Sequence, residues 1–491
     1  MSTRTFNWRQ VVMLLGSLLE IEAAFMALSS IVAFVYAEHS QWYMLGSAVI
    51  TALFGLVLIL IGRGSAKQIG LREGYLIVSL VWVIFSIFGM LPFLLSGAID
   101  NVTDAFFETM SGFTTTGATL LTDVDHFPKG LLFWRAIMQW LGGMGIMVFS
   151  MAVLPASGSG MQMYMAEVTG PTYDKIQPRI KDTARKLWEI YMALTVVAFF
   201  ALWAAGMNWH DAVCHAFTTM ATGGFSTKQA SVGYWSSPAI HYVLIVFMLV
   251  ASINFSLLYN AVFRQQLKRL WRDEELRVFL TIIGCVTLYL FVALIFTSGR
   301  STMGGVERDF RDALFQTVAI LTTTGFCTTD YMQWQPSLWM LLFILTAVGG
   351  CAGSTSGGIK IIRTHITIKN VLFEFRRVLH PKAIMPVRIN KRVVPESIVN
   401  NIHAFLMIFF FLTLFGTIAL LAMGMKLEEA FGASLASISN VGVALGELGP
   451  SGGYAGVPAA GKWLLSWLML VGRLELFTML LIFAPSFWKR G

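Results

Sequence analysis

The stretch DAFFETMSGFTTTG, residues 104–117, returns three more times in altered form: DAVCHAFTTMATGG at 211–224, DALFQTVAILTTTG at 312–325 and EAFGASLASISNVG at 429–442. Each copy opens on an acid followed by alanine (Asp104-Ala105, Asp211-Ala212, Asp312-Ala313, Glu429-Ala430) and closes thirteen residues later on a glycine: Gly117, Gly224, Gly325 and Gly442. In between, an apolar run gives way to a small polar turn: Thr115-Thr116, Thr222-Gly223, Thr323-Thr324 and Asn440-Val441. An acid is favourable in the first turn of any helix, so one copy would carry little. Four copies in register mark an internal repeat.

The flanks give the repeat its setting. Of the 491 residues, 56% are hydrophobic and 13% charged, about half the charge of an average soluble chain. A membrane-spanning helix takes about 20 apolar residues. Ten such runs are expected, at 11–37, 42–62, 75–97, 131–154, 187–206, 239–263, 278–297, 338–359, 398–424 and 463–487. The repeated stretches, near 104–116, 211–223, 312–324 and 429–441, are too short to span. Each lies between two spans, as a re-entrant half-helix would. The run Val11–Ala37 is too long for the apolar core of a secretory signal and is expected to remain as a span.

The fold class expected is therefore all-α integral membrane. Four tandem span–half-helix–span units surround one central pore, and two extra spanning helices precede them. The units divide as an N-terminal extension at 1–70, pore repeats at 71–160 and 161–270, a third at 271–392 and a fourth at 393–491.

Charge sorts by loop. Arg4 and Arg9, the Arg63–Arg72 segment, Lys175–Lys186, Arg264–Arg277, the long basic stretch 360–392 and Lys489-Arg490 alternate with segments poor in Lys and Arg. Positive loops stay in the cytoplasm, so both termini are expected inside and all four half-helices enter from outside. Acids such as Asp100, Asp123, Asp125, Asp330 and Glu447 fall on the outer segments. They would raise the local cation concentration, or they are ordinary loop charges. The net charge of +8 follows this sorting and does not point to nucleic acid. Cys214, Cys285, Cys327 and Cys351 form no CxxC pair, which argues against a metal cluster or disulfide framework.

Main chain at membrane depth must be buried in protein or line a cavity. Small residues and glycine let a turn direct its carbonyls to an axis, where a ring of oxygens replaces the hydration shell of a potassium ion. The negative ends of four half-helices around that axis favour a monovalent cation. No carboxylate stands in the loops, as a divalent-selective ring would require.

With TTTGAT (114–119), ATGGFST (221–227), TTTGF (322–326) and SNVG (439–442), the chain resembles the Trk/Ktr/HKT superfamily of potassium transporters, and most nearly its bacterial Trk-type membrane subunit. The two extra N-terminal spans agree. The resemblance implies a selectivity filter made of Thr115, Thr116, Gly117, Thr222, Gly223, Gly224, Thr323, Thr324, Gly325, Asn440, Val441 and Gly442, at which the potassium ion binds. Glycine in all four loops is the potassium-permeable pattern; serine in the first loop goes with sodium in some plant relatives. Val443 departs from the family, which would have proline there. The stretch Gly349, Gly350, Cys351, Ala352, Gly353, Ser354, Thr355, Ser356, Gly357 and Gly358, ending at Lys360, matches an intramembrane loop that gates the pore. Arg473 matches a pore-facing arginine near it.

The resemblance further implies potassium uptake across the bacterial inner membrane, with rubidium passing and sodium passing more weakly. It also implies a homodimer in the lipid bilayer and a cytosolic ring of nucleotide-binding subunits. The chain has no nucleotide-binding fingerprint or covalent cofactor motif, so ATP or NAD would act only through that partner.

Read without the family, a loop so rich in glycine and serine cannot hold a lipid-facing helix. It either rearranges or packs helices closely. A buried Arg473 is functional or belongs to a structural ion pair, though Glu475 at i+2 lies on another helix face. Glu20 and Glu22, inside the first run, suggest a polar contact or a proton site. The basic stretch 360–392 suits anionic lipid or a cytosolic subunit. Two other function classes stay open. One is a proton- or sodium-coupled potassium symporter, although its inverted repeats would not all enter from one side. The other is an enzyme, for which no HExxH, GxSxG or Walker A motif is present.

Overall fold

The computed structural model describes residues 6–64, 70–143, 145, 180–298, 302–380, 382 and 385–488. They are helical apart from turns, loops and a two-residue hairpin pair, Arg388–Ile389 with Arg392–Val393. Six helices are long and apolar enough to cross a membrane, and two bent pairs raise that to eight: Pro238–Ala251 with Phe255–Val262 and Ala459–Arg473 with Phe477–Phe483. Their outward side chains are large and apolar, for instance Phe34, Leu53, Phe296 and Met407, which are 59–83% exposed. Such surfaces belong in lipid. The chain is an all-α, multi-pass membrane protein.

Trp8–Val35 and Ser40–Gly62 form an antiparallel hairpin at the start. Asn7 caps the first helix by accepting from the Gln10 N–H. A Cβ on Gly16 would meet the Gly55 carbonyl, so absent side chains let the two backbones touch. Glu22 is fully buried in this hairpin against Gly89, and Glu20 faces Gly55.

The four short helices are Val102–Phe113, Trp209–Met220, Met303–Leu321 and Leu427–Ser439. Asn101 and Asn208 cap the first two, each accepting a main-chain N–H. All end two to three residues before the expected half-helices do, because the residues that follow leave the helical conformation. The third is also longer than the expected 312–324. It begins nine residues earlier, capped by Thr302 and held along its added turns by the i, i+4 pairs Arg311–Glu307 and Arg308–Asp312.

Three runs expected as spans are broken. The run 338–359 stops at Val348, as its glycines foretold. The runs 239–263 and 463–487, expected as continuous, bend by 104° and 117°. Asn254 explains the first bend: its side chain accepts from the N–H groups of Ser256 and Leu257 and so starts a new helix. At the second, Glu475 and Leu476 adopt positive φ. Of the run 131–154, Lys129–Gly143 is helical. Residues 146–179, with the repeat boundary expected near 160 and with Lys175 and Arg179, lie outside the described residues, as do Arg4, Lys67, Lys489 and Arg490.

Candidate functional site: a ring of four loops

Each short helix ends in the same unusual backbone. Thr115, Thr222, Thr323 and Asn440 all have φ between +52° and +58°, the left-handed region that few side-chain-bearing residues occupy. Two residues on, Gly117, Gly224 and Gly325 have φ of +76° to +83°. Gly442 alone does not share this second feature. The repeat read in the sequence is thus also a conformational repeat.

The four loops close on one another in order. A Cβ on Gly117 would collide with the Gly223 carbonyl, and one on Gly224 with the Thr324 carbonyl. Beside Gly325 lies the Gly442 nitrogen, 3.5 Å from the position of such a Cβ, and a Cβ on Gly442 would strike the Gly117 carbonyl. Each loop therefore touches the next, and the fourth touches the first. The glycines Gly117, Gly224, Gly325 and Gly442 all line one cavity, together with Phe225, Cys327 and Val443. Among the described residues no carboxylate lines it, and its charged side chains are Arg135 and Lys228.

Side chains pin the ring. Thr114 and Thr116 share a 2.8 Å hydroxyl bond, and Thr322 and Thr324 repeat it. Asn440 donates to Thr116 Oγ1 at 3.0 Å and to the Met469 carbonyl at 2.9 Å, tying the fourth loop to the first. The acids that mark the repeat act here. Thr227 donates to Asp211 at 2.6 Å and Thr328 to Asp312 at 3.3 Å, each threonine three residues beyond its glycine. In the first copy Glu108 takes this place, accepting from Thr119 and the Leu120 N–H, while Asp104 pairs with Lys462 at 2.7 Å.

Two supports escaped the sequence reading. Glu108 and Arg135 form an ion pair of 2.7 Å with both side chains buried, and the guanidinium covers the Phe225 ring. Gln139 donates to the Gly223 carbonyl at 2.7 Å and accepts from the Phe225 N–H at 3.1 Å. Arg135 and Gln139 stand four residues apart inside an apolar run, and that polar pair on one helix face was the available signal.

The stretch 349–360 crosses the other side of the ring. Gly349, Gly353, Gly358 and Lys360 have positive φ. The Gly357 N–H donates to Thr323 Oγ1 at 2.7 Å, Thr222 reaches Thr355 Oγ1 at 3.4 Å, and a Cβ on Gly357 would strike the Ser439 carbonyl. Ser356 bonds Ser252 at 2.8 Å, the Cys351 N–H donates to the Ser252 carbonyl at 3.0 Å, and the Ala352 N–H donates to Glu275 at 2.6 Å. Gly350 packs on Ser356, and Ser354 bonds the Cys351 carbonyl. Lys360 donates back to the Ser356 carbonyl. Arg473 donates to the carbonyls of Thr355, Gly142 and Gly143. Glu475 pairs with Arg363. Loop and arginine together touch the second, third and fourth ring loops and the helix behind the first.

The family model described as TrkH, cation transport protein, matches residues 39–490. This chain belongs to the TrkH family. It is 39% identical to the Trk system potassium uptake protein TrkH of Halomonas elongata, over 98% of this chain and 99% of that protein. To the protein of the same name from Escherichia coli K12 it is 37% identical, over 98% of this chain and the whole of the other. It superposes on the crystal structure of the potassium transporter TrkH from Vibrio parahaemolyticus with a TM-score of 0.89 at 36% identity, covering 98% of this chain and all of that one. These relatives are named as uptake proteins or transporters, which bears out the reading that the chain is not an enzyme.

Proposed function

We propose that this TrkH-family chain passes potassium across the bacterial inner membrane through the ring of four loops. The observation that carries the reading is the cyclic contact of Gly117, Gly224, Gly325 and Gly442 around one cavity that no carboxylate of the described residues lines. The relatives' names, as potassium uptake proteins, support the choice of ion. In this reading the residues from Thr115 to Gly117 and their counterparts in the other three loops coordinate the ion, and the dipole ends of four short helices favour its single charge.

The loop 349–358, Lys360 and Arg473 form the closed barrier under the filter. The basic loops face the cytoplasm, both termini with them. A cytosolic subunit that binds nucleotide moves the loop, and two copies of the chain assemble in the membrane; both elements rest on the family resemblance. Rubidium uptake into proteoliposomes of the purified chain tests the pathway. Uptake that follows the potassium gradient alone is expected, and a requirement for a proton or sodium gradient would replace a channel-like pathway by a coupled one.

A further inference from the structure

We propose that the segment 262–272 is a binding surface for anionic phospholipid headgroups at one face of the membrane. After the 104° bend, Phe255–Val262 turns away from the direction of Pro238–Ala251, and the next spanning helix begins at Glu274. The segment 262–272 therefore runs directly into the start of a spanning helix, at the level where that span ends. Val262, Phe263, Leu267 and Trp271 are each 60–66% exposed, far more than side chains of this kind accept in water at one place. Tryptophan and other apolar side chains at this depth belong among headgroups and upper acyl chains.

Between them stand Arg264, Lys268, Arg269 and Arg272, all exposed, and no acid occurs from 262 to 272. The acids that follow also bond the 365–390 segment. Asp273 accepts from Asn390 at 2.8 Å, and Glu274 accepts from Lys369 at 2.6 Å and from the Asn390 N–H at 3.1 Å. Apolar anchors interleaved with four cations, on a segment that leads straight into a span, match a phosphate-bearing anionic leaflet in chemistry and place.

The test places the full-length chain in nanodiscs and reads Trp271 as the difference in fluorescence between the native protein and Trp271→Phe. Brominated phosphatidylglycerol should quench this signal more than brominated phosphatidylcholine at equal mole fraction. At about fivefold per basic residue near the surface, two of the four facing the lipid already give roughly twenty-fivefold, so an excess of at least roughly tenfold is expected. Added salt should erase the excess, which checks the charge without any substitution. The variant R264Q/K268Q/R269Q/R272Q should lose it at low salt. Equal quenching by the two lipids would overturn the proposal. So would a Trp271 that neither lipid reaches and that a cytosolic protein partner shields.

Discussion

Arg473 donates to the carbonyl oxygen of Thr355 at 2.9 Å, joining the bend after Ala459–Arg473 to the glycine-rich loop that precedes Ile361–Leu379. The same guanidinium reaches Gly142 and Gly143 on the opposite side. A fixed positive charge at this level opposes a passing cation by about 4 kcal/mol at 4 Å and an effective dielectric of 20. Replacing Arg473 by alanine should raise basal potassium flux in proteoliposomes that hold no partner subunit. A well-folded variant with native or lower flux would leave Arg473 as a tether for main-chain carbonyls and nothing more.

The buried pair Glu108–Arg135 supports the first loop through Thr119 and Leu120. Removing one member of a buried pair costs roughly 3–5 kcal/mol, because the other charge is stranded. Arg135→Leu should therefore lower the midpoint of thermal unfolding in detergent by many degrees. The double change to Glu108→Gln with Arg135→Leu should recover part of it. An Arg135→Leu protein as stable as the native one would remove the pair from the list of supports.

Gln139 bonds both the Gly223 carbonyl and the Phe225 N–H, from a helix of the first repeat to the loop of the second. Gln139→Leu leaves both groups buried without their partner, at about 1–3 kcal/mol for each. The effect falls on the loop that carries Gly224, so discrimination of rubidium from sodium should weaken while expression holds. Unchanged flux ratios would show that the second loop keeps its shape without this bridge.

Orientation is open to labelling. Cysteines placed in 228–237 should react with membrane-impermeant maleimide on intact cells, and cysteines in 365–395 only after the cells are opened. The opposite pattern would invert the assignment of every loop.

Much of this was legible in the sequence, and the reason is that glycine and acid positions obey local rules. The spacing of Asp104 to Gly117, and its three copies, reported a backbone that recurs almost unchanged, down to the left-handed Thr115, Thr222, Thr323 and Asn440. The break after Val348 was visible because five glycines in ten residues cannot be missed. The bends at Ser252–Asn254 and Glu475 were not foreseen. Each interrupts an otherwise apolar run with one or two polar residues, which hydropathy averages over, although Asn254 was a recognisable cap. Asn440, Gln139 and Arg135 take partners more than eighty residues away, except for the nearer Arg135–Glu108, Arg135–Thr119 and Asn440–Met469 bonds. No local pattern encodes such pairings. Glu475 went to Arg363, leaving Arg473 to bond carbonyls, and only the folded chain decides between those roles.

The central claim, that the four glycines form the potassium-selective ring, is tested most directly by comparing Gly325→Ser with Gly117→Ser. Both glycines have positive φ, but a Cβ on Gly325 has its nearest neighbour at 3.5 Å, whereas one on Gly117 meets the Gly223 carbonyl head-on. The quantity to measure is the ratio of rubidium to sodium flux in proteoliposomes, together with the yield of folded protein. Gly325→Ser should fold and pass both ions with a reduced ratio, and Gly117→Ser should lose folded yield or flux outright. Native ratios in both variants would contradict the ring as the selecting element.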